Sequence, residues 1–128
     1  MKNTIKTIIL AFIVTLTSCV QEEHEKSVTL SVDMNGIENF DSIGIRGDFL
    51  PNRWRETVPM TDDNNDGIYE ITFTEKTAVY GIEFKFVKNN NEFELQDQGN
   101  RELVFEYKPE TIEYYAVFNN KESNIKRK

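Results

Sequence analysis

The sequence predicts an all-β fold, an immunoglobulin-like antiparallel β-sandwich of about seven to eight strands. Three observations carry this expectation. Apolar and polar residues alternate at period two through most of the chain, as strands with one buried face require. Turn-forming residues interrupt the alternation about every 8–12 residues. No stretch carries a helical apolar period with caps at its ends.

The strands follow in order. Val28, Leu30, Val32 and Met34 alternate with Thr29, Ser31 and Asp33, and Asn35-Gly36 ends the run as a turn. Ile43 and Ile45 open a second strand that stops at Gly47. Val58 and Met60 make a short third one, and Pro59 between them, lacking an N–H, puts it at a sheet edge. Asp62–Gly67 is a loop. Tyr69, Ile71 and Phe73 alternate with Glu70 and Thr72, and Ile82, Phe84 and Phe86 with Glu83 and Lys85. Asn89-Asn90-Asn91 turns the chain, and Phe93 and Leu95 resume the alternation. Leu103 and Phe105 follow, then Pro109, and Ile112, Tyr114, Ala116 and Phe118 close the pattern. There is no internal repeat and no low-complexity segment.

The first 19 residues obey a different logic. Lys2 and Lys6 precede the apolar run Ile8–Leu16, and Leu16-Thr17-Ser18-Cys19 follows it. This is the layout of a secretory signal. The run is shorter than the roughly 20 residues that span a bilayer. Its end resembles a bacterial lipobox, in which small residues precede a cysteine that is lipidated and becomes the new N-terminus. The resemblance implies a signal peptide over residues 1–18 and lipidation at Cys19. It implies a Bacteroidota-type lipoprotein held in the outer membrane, with the cell surface and the periplasmic face both open as its destination. An ordinary cleaved signal is the alternative. A lipidated Cys19 is unavailable for catalysis, metal binding or a disulfide. Residues Val20–Lys26 carry no apolar period and read, with Cys19, as a flexible acidic tether over 19–26. Gln21-Glu22-Glu23 also resembles the acidic export tag of surface lipoproteins. The sandwich is then expected over 27–119. Residues 120–128, with Lys121, Lys126, Arg127 and Lys128, are expected to be a basic disordered tail.

Residues 19–128 amount to one domain. Loss of Lys2 and Lys6 with the signal would move the net charge from −7 to −9. Such an acidic surface argues against nucleic acid as a partner, and a monomer is expected. No second cysteine exists, so the core alone must hold the domain. Nine Phe, five Tyr and one Trp supply it.

The chemistry available is narrow. The only histidine, His24, falls in the expected tether. That excludes a Ser–His or Cys–His nucleophile and a histidine-ligated zinc or iron site within the sandwich. A carboxylate pair such as Glu70 and Glu83 could in principle cleave a glycoside. Acids on surface strands are ordinarily just solvated, and a sandwich this small offers no deep cleft. No enzyme activity and no cofactor are therefore expected. Asp62, Asn64, Asp66 and Gly67 satisfy the start of a calcium loop. Its twelfth position is Phe73 rather than the required glutamate, so a hairpin turn is the favoured reading and a weak calcium site the residual one.

Trp54 stands apart from the alternating aromatics. It follows the turn-rich segment Gly47–Arg53 and lies between Arg53 and Arg55. Two readings stand. An exposed ring would stack on the C–H face of a pyranose. A buried one would plug the end of the sandwich.

The span Ile43–Phe105 resembles a starch-binding domain of carbohydrate-binding module family twenty, with relatives among glycogen-binding modules. The pieces are Gly47-Asp48-Phe49 with Trp54, Asp66-Gly67-Ile68-Tyr69-Glu70, Ile82–Val87, and Asn100-Arg101-Glu102-Leu103. Their order and rough spacing agree with the family. The resemblance implies an immunoglobulin-like sandwich and non-catalytic binding of starch or another α-glucan. It implies that Trp54 stacks on a sugar ring and that Lys85 and Asn100 bond hydroxyls. The second stacking tryptophan has no counterpart; Phe93 is the nearest ring, with Glu94 beside it matching a family acid. The alternative function is a protein-interaction or assembly lipoprotein that uses the same sandwich as a scaffold.

Overall fold

The computed structural model describes residues 18–128, so the expected signal peptide lies almost wholly outside it. Nine strands form two sheets: β1 (His24–Asp33), β2 (Ile43–Gly47), β3 (Val58–Pro59), β4 (Ile68–Thr77), β5 (Gly81–Lys88), β6 (Glu92–Phe93), β7 (Arg101–Val104), β8 (Glu110–Val117) and β9 (Ser123–Arg127). One sheet runs β4-β1-β8-β9 and the other β3-β2-β5-β6, with β7 also on β5. The fold is the all-β sandwich expected.

The alternation sets which side chains meet. Val28, Leu30 and Val32 of β1 and Ile112, Tyr114 and Ala116 of β8 point inward from one sheet. Ile43, Ile45, Ile82, Phe84, Phe86 and Leu103 meet them from the other. Fully burying such side chains stabilises by roughly 1.5–3 kcal/mol each. Phe84 lies edge-on to Phe86 and to Tyr114, with centroids 5.6 and 5.1 Å apart. Phe49, in the loop after β2, stacks on Phe73 of β4 at 4.6 Å and closes one side of the sandwich.

Pairing is antiparallel everywhere except between β1 and β8. Those run parallel, with Leu30 opposite Tyr114. The chain reaches β8 only after crossing the other sheet, and it arrives in the direction of β1.

Two boundaries differ from the sequence expectation. The expected tether is already strand from His24 onward, and Lys26 is buried. Lys26 shares the inward parity of Val28 and Leu30 and is satisfied there by Glu110, at 2.7 Å. The carbonyls of Glu106 and Lys108 also accept from its Nζ. The expected disordered tail instead forms β9, antiparallel to β8, with Tyr114 opposite Ile125. Arg127 reaches Glu110 at 2.5 Å and donates to the Val104 carbonyl at 2.7 Å. Period two gave no signal there, because every residue of β9 is exposed.

The loop Asp62–Gly67 before β4 is closed by its own side chains. The N–H groups of Asp66 and Gly67 donate to the Asp62 carboxylate at 3.1 and 2.9 Å. The Ile68 N–H donates to Asp66, and the Asp66 N–H also to Asn64. The oxygens that a calcium ion would need are held by backbone donors, as in an Asx turn. Gly67 has φ +85°, and a Cβ there would lie 2.3 Å from Asn35 Oδ1, so only glycine fits.

Candidate functional site

The residues singled out by the sequence separate into an outer face and a buried interior. On β2 and β5, Gly44, Arg46, Lys85 and Val87 point away from the core, with Arg46 opposite Lys85 and Gly44 opposite Val87. β6 extends this face and sets Phe93 opposite Val87. The segment Pro51–Glu56 adds a single 3-10 turn, Arg53–Arg55, none of whose residues is buried.

Arg46 ties the pieces together. Its Nε donates to Thr57 Oγ1 at 2.8 Å and its Nη1 to the Trp54 carbonyl at 3.1 Å. Its Nη2 donates to the Asn90 carbonyl at 2.9 Å. Its guanidinium lies over the Phe93 ring, 5.1 Å from the centroid. One side chain thereby fixes the Trp54 turn, the loop before β6 and the orientation of Phe93. The sequence reading passed over Arg46. A cation at an outward strand position two residues before Asp48 looks like any solvated arginine.

Trp54 itself is half-buried, between the two readings of the sequence. Phe93 is half-buried too, and its ring lines an open groove of about 360 Å³ with Lys88, Asn91, Glu92 and Gln96. Lys85 shares the face, but its Nζ donates to the Leu95 carbonyl at 3.0 Å. Asn100 is exposed at the border, one residue before Arg101, whose register partner Phe84 precedes Lys85. Its carbonyl accepts from Lys121 at 2.6 Å.

Glu94, matched to a family acid and with it expected to bond a sugar hydroxyl, does not belong to this face. Phe93 points out, so its neighbour points in, and Glu94 is fully buried. Arg101 meets it with Nε at 2.6 Å and Nη2 at 2.8 Å, a bidentate pair whose side chains are both 0% exposed. The remaining donors of Arg101 reach the Val117 and Asn120 carbonyls and the Tyr114 hydroxyl. Glu94 also accepts from the N–H groups of Phe86 and Asn119. Burial opposes the Arg101 charge, but the Glu94 carboxylate outweighs it and holds the guanidinium above its ordinary pKa. This is a structural clamp joining β5, β7 and the end of β8. The sequence did carry its signal. Arg101 precedes Leu103 and Phe105 at the same inward parity.

A second groove, of about 400 Å³, lies on the outer face of the other sheet and holds Thr29, Ser31, Glu70, Glu113 and Tyr115. It contains none of the sugar-contacting residues that the starch-binding resemblance implies, and its Glu70 accepts from Ser31 at 3.1 Å.

No protein-family model matches the chain, and no curated protein matches it significantly. Among solved structures, the chain is similar to the solution structure of the CBM25-2 of beta/alpha-amylase from Paenibacillus polymyxa. The two share 20% identity over 82% of this chain and 94% of that one, with a TM-score of 0.50. At that identity the likeness is one of fold: both chains are built on the same β architecture.

Proposed function

We propose that this domain is a non-catalytic carbohydrate-binding module for an α-glucan, carried on a membrane anchor at Cys19. The observation that carries the reading is the outer face of β2, β5 and β6. There Arg46 ties the turn that carries Trp54, through its backbone carbonyl, to the half-buried Phe93 ring, and that ring borders a groove lined by amides, charges and Phe118. A sugar needs this combination, an apolar ring for its C–H face and planar polar groups for its hydroxyls. The fold likeness to a module of an amylase supports the choice of α-glucan over other glycans. The site is shallow, so binding is expected to be weak and to rest on a few contacts.

Within it Trp54 and Phe93 provide stacking surface, Arg46 holds the Trp54 turn and the Phe93 ring in place, and Asn91, Gln96, Lys85 and Asn100 offer hydroxyl partners. Glu94 takes no part.

Trp54 is the only tryptophan in the chain, so its fluorescence reports this face alone. Titration with maltoheptaose is expected to give a saturable change, and cellohexaose none. Trp54→Ala and Phe93→Ala are expected to abolish binding measured by calorimetry while leaving the circular dichroism unchanged. An unresponsive Trp54 together with full calorimetric affinity in both variants would move the site elsewhere. No binding of any glycan by the intact protein would favour the scaffold reading.

A further inference from the structure

The end of the sandwich where the chain enters carries an apolar surface that the glycan-binding face does not use. β1 begins there, β4 and β7 end there, and β5 and β8 start there. Val79 is 55% exposed, Tyr80 70%, Val104 49% and Tyr107 65%. They lie at the same end of the fold. Gly81 lies opposite Val104, the Phe105 N–H donates to the Tyr80 carbonyl at 2.7 Å, and Tyr107 packs edge-on against His24 at 4.6 Å.

The N-terminal segment is held against this patch. Gln21 Nε2 donates to the Ala78 carbonyl at 3.4 Å, and the Glu22 N–H donates to the Tyr107 hydroxyl at 3.2 Å. Cys19 is exposed two residues before Gln21, and Val20 is 88% exposed. Two extended residues span at most about 7 Å. Whatever is attached at Cys19 therefore sits beside Val79, Tyr80 and Tyr107.

We propose that this end of the sandwich docks on the bilayer surface, with Val20, Val79, Tyr80, Val104 and Tyr107 entering the interfacial layer beside the Cys19 anchor. The proposal rests on the reading of Cys19 as the anchored residue. The chemistry fits an interface: tyrosines have an apolar body and a polar tip, and they collect at the headgroup level of membranes. The nearby charges do not fit attraction to anionic lipid. Glu22 and Glu23 are acidic, Lys108 is paired with Glu106 and Arg127 with Glu110, Lys76 lies opposite Glu25, Arg53 shares its cavity beside Val79 with Asp48 and Glu75, and the Tyr80 hydroxyl donates to Glu102. Docking is therefore apolar and insensitive to salt. It also orients the domain. Val87, opposite Phe93, lies seven residues along β5 from Tyr80, or about 23 Å at strand rise. The Phe93 end of the glycan-binding face is thus carried clear of the lipid.

The test uses the full chain, produced in a bacterium that lipidates it and reconstituted in phosphatidylcholine vesicles with doxyl-labelled lipid. Val79→Cys at the patch, or Asp63→Cys in the loop at the opposite end, takes a thiol-reactive fluorophore. Quenching several-fold stronger at position 79 than at 63, unchanged at high salt and lost in the Tyr80→Ser/Tyr107→Ser variant, is the expected result. Equal, weak quenching at both positions in protein that floats with the vesicles would overturn the docking and leave a freely tethered domain. Protein that fails to float would overturn the anchor and the docking together. Maltoheptaose binding, measured on the same samples, separates either failure from that of the glycan reading.

Discussion

Ion pairs anchored on buried charges decide more about this domain than its surface acids do. Glu94 and Arg101 form one such group, and Lys26, Glu110 and Arg127 another. A buried ion pair adds little over an apolar pair of the same volume, but losing one partner leaves an uncompensated charge. Arg101→Met is therefore expected to lower unfolding stability by about 3–5 kcal/mol. Arg101→Met combined with Glu94→Leu should recover part of that loss, in urea titrations of the three proteins. If Glu94 instead contacted the glycan, Glu94→Gln would weaken maltoheptaose binding out of proportion to its effect on folding. The second group gives a pH dependence. Burial opposes the charge on Glu110, yet the hydrogen bonds from Lys26, the Glu106 N–H and Arg127 hold its pKa below the ordinary carboxylate value of 4.5. A folded pKa below the unfolded one contributes stability that is full above the unfolded value and lost as pH falls through the folded value. The urea midpoint should thus drop as pH is lowered below about 4.5. Glu110→Gln should be less stable at pH 7 and show a shallower drop.

At the scale of elements, what the sequence disclosed depended on whether a strand has a buried face. β1, β4, β5 and β8 alternate clearly, and each was legible to within a few residues. β9 has no buried residue, and its pairing with β8 is set by backbone bonds and by Arg127, neither of which leaves a hydropathy pattern. The inward run of β1 begins at Lys26, a lysine that reads as linker until its partner at Glu110 is known. The site was legible in the same partial way. Lys85 and Phe93 lie on one face and the Trp54 turn is tied to it through its backbone carbonyl, while Arg46, which makes that tie, resembles a solvated side chain in sequence. Glu94 was misplaced because the alternation of Phe93 with Leu95 sets it outward, whereas Glu94 and Leu95 are both buried and the period breaks at Leu95, whose φ is +50°. β9 offers a direct check. Removing residues 122–128 exposes the β8 edge and strips Arg127 from Glu110. Each kcal/mol lost lowers Tm by roughly 4–8 °C in a domain of this size. A frayed tail would leave Tm unchanged, whereas a paired strand predicts a fall of at least about 4 °C in a calorimetric scan.

For the whole molecule, the pairing order sets where stability resides. β1 sits between β4 and β8, and β5 between β2 and the β6–β7 pair, so these two strands are hydrogen-bonded on both sides. Their inward residues Val28, Leu30, Val32, Phe84 and Phe86 are fully buried. The β1–β8 contact is parallel and joins residues some eighty positions apart, a pairing that forms only after most of the chain has folded. Opening β1 or β5 therefore means opening the domain, and their amides should exchange only through global unfolding. β9 at one edge, and β3 and β6 at the ends of the other sheet, each have an unpaired flank and should exchange through local fraying. Hydrogen exchange resolved by residue is expected to place Leu30, Phe84 and Phe86 in the slowest class and Ile125 and Lys126 in a fast one. The amides near Trp54 and Phe93 belong to short, weakly protected segments. Bound maltoheptaose should slow exchange there by mass action, while β1, which opens only with the whole domain, slows only by the stabilisation that binding gives the folded state. Protection confined instead to the outer face of β1 and β8 would transfer the glycan site to the groove around Tyr115.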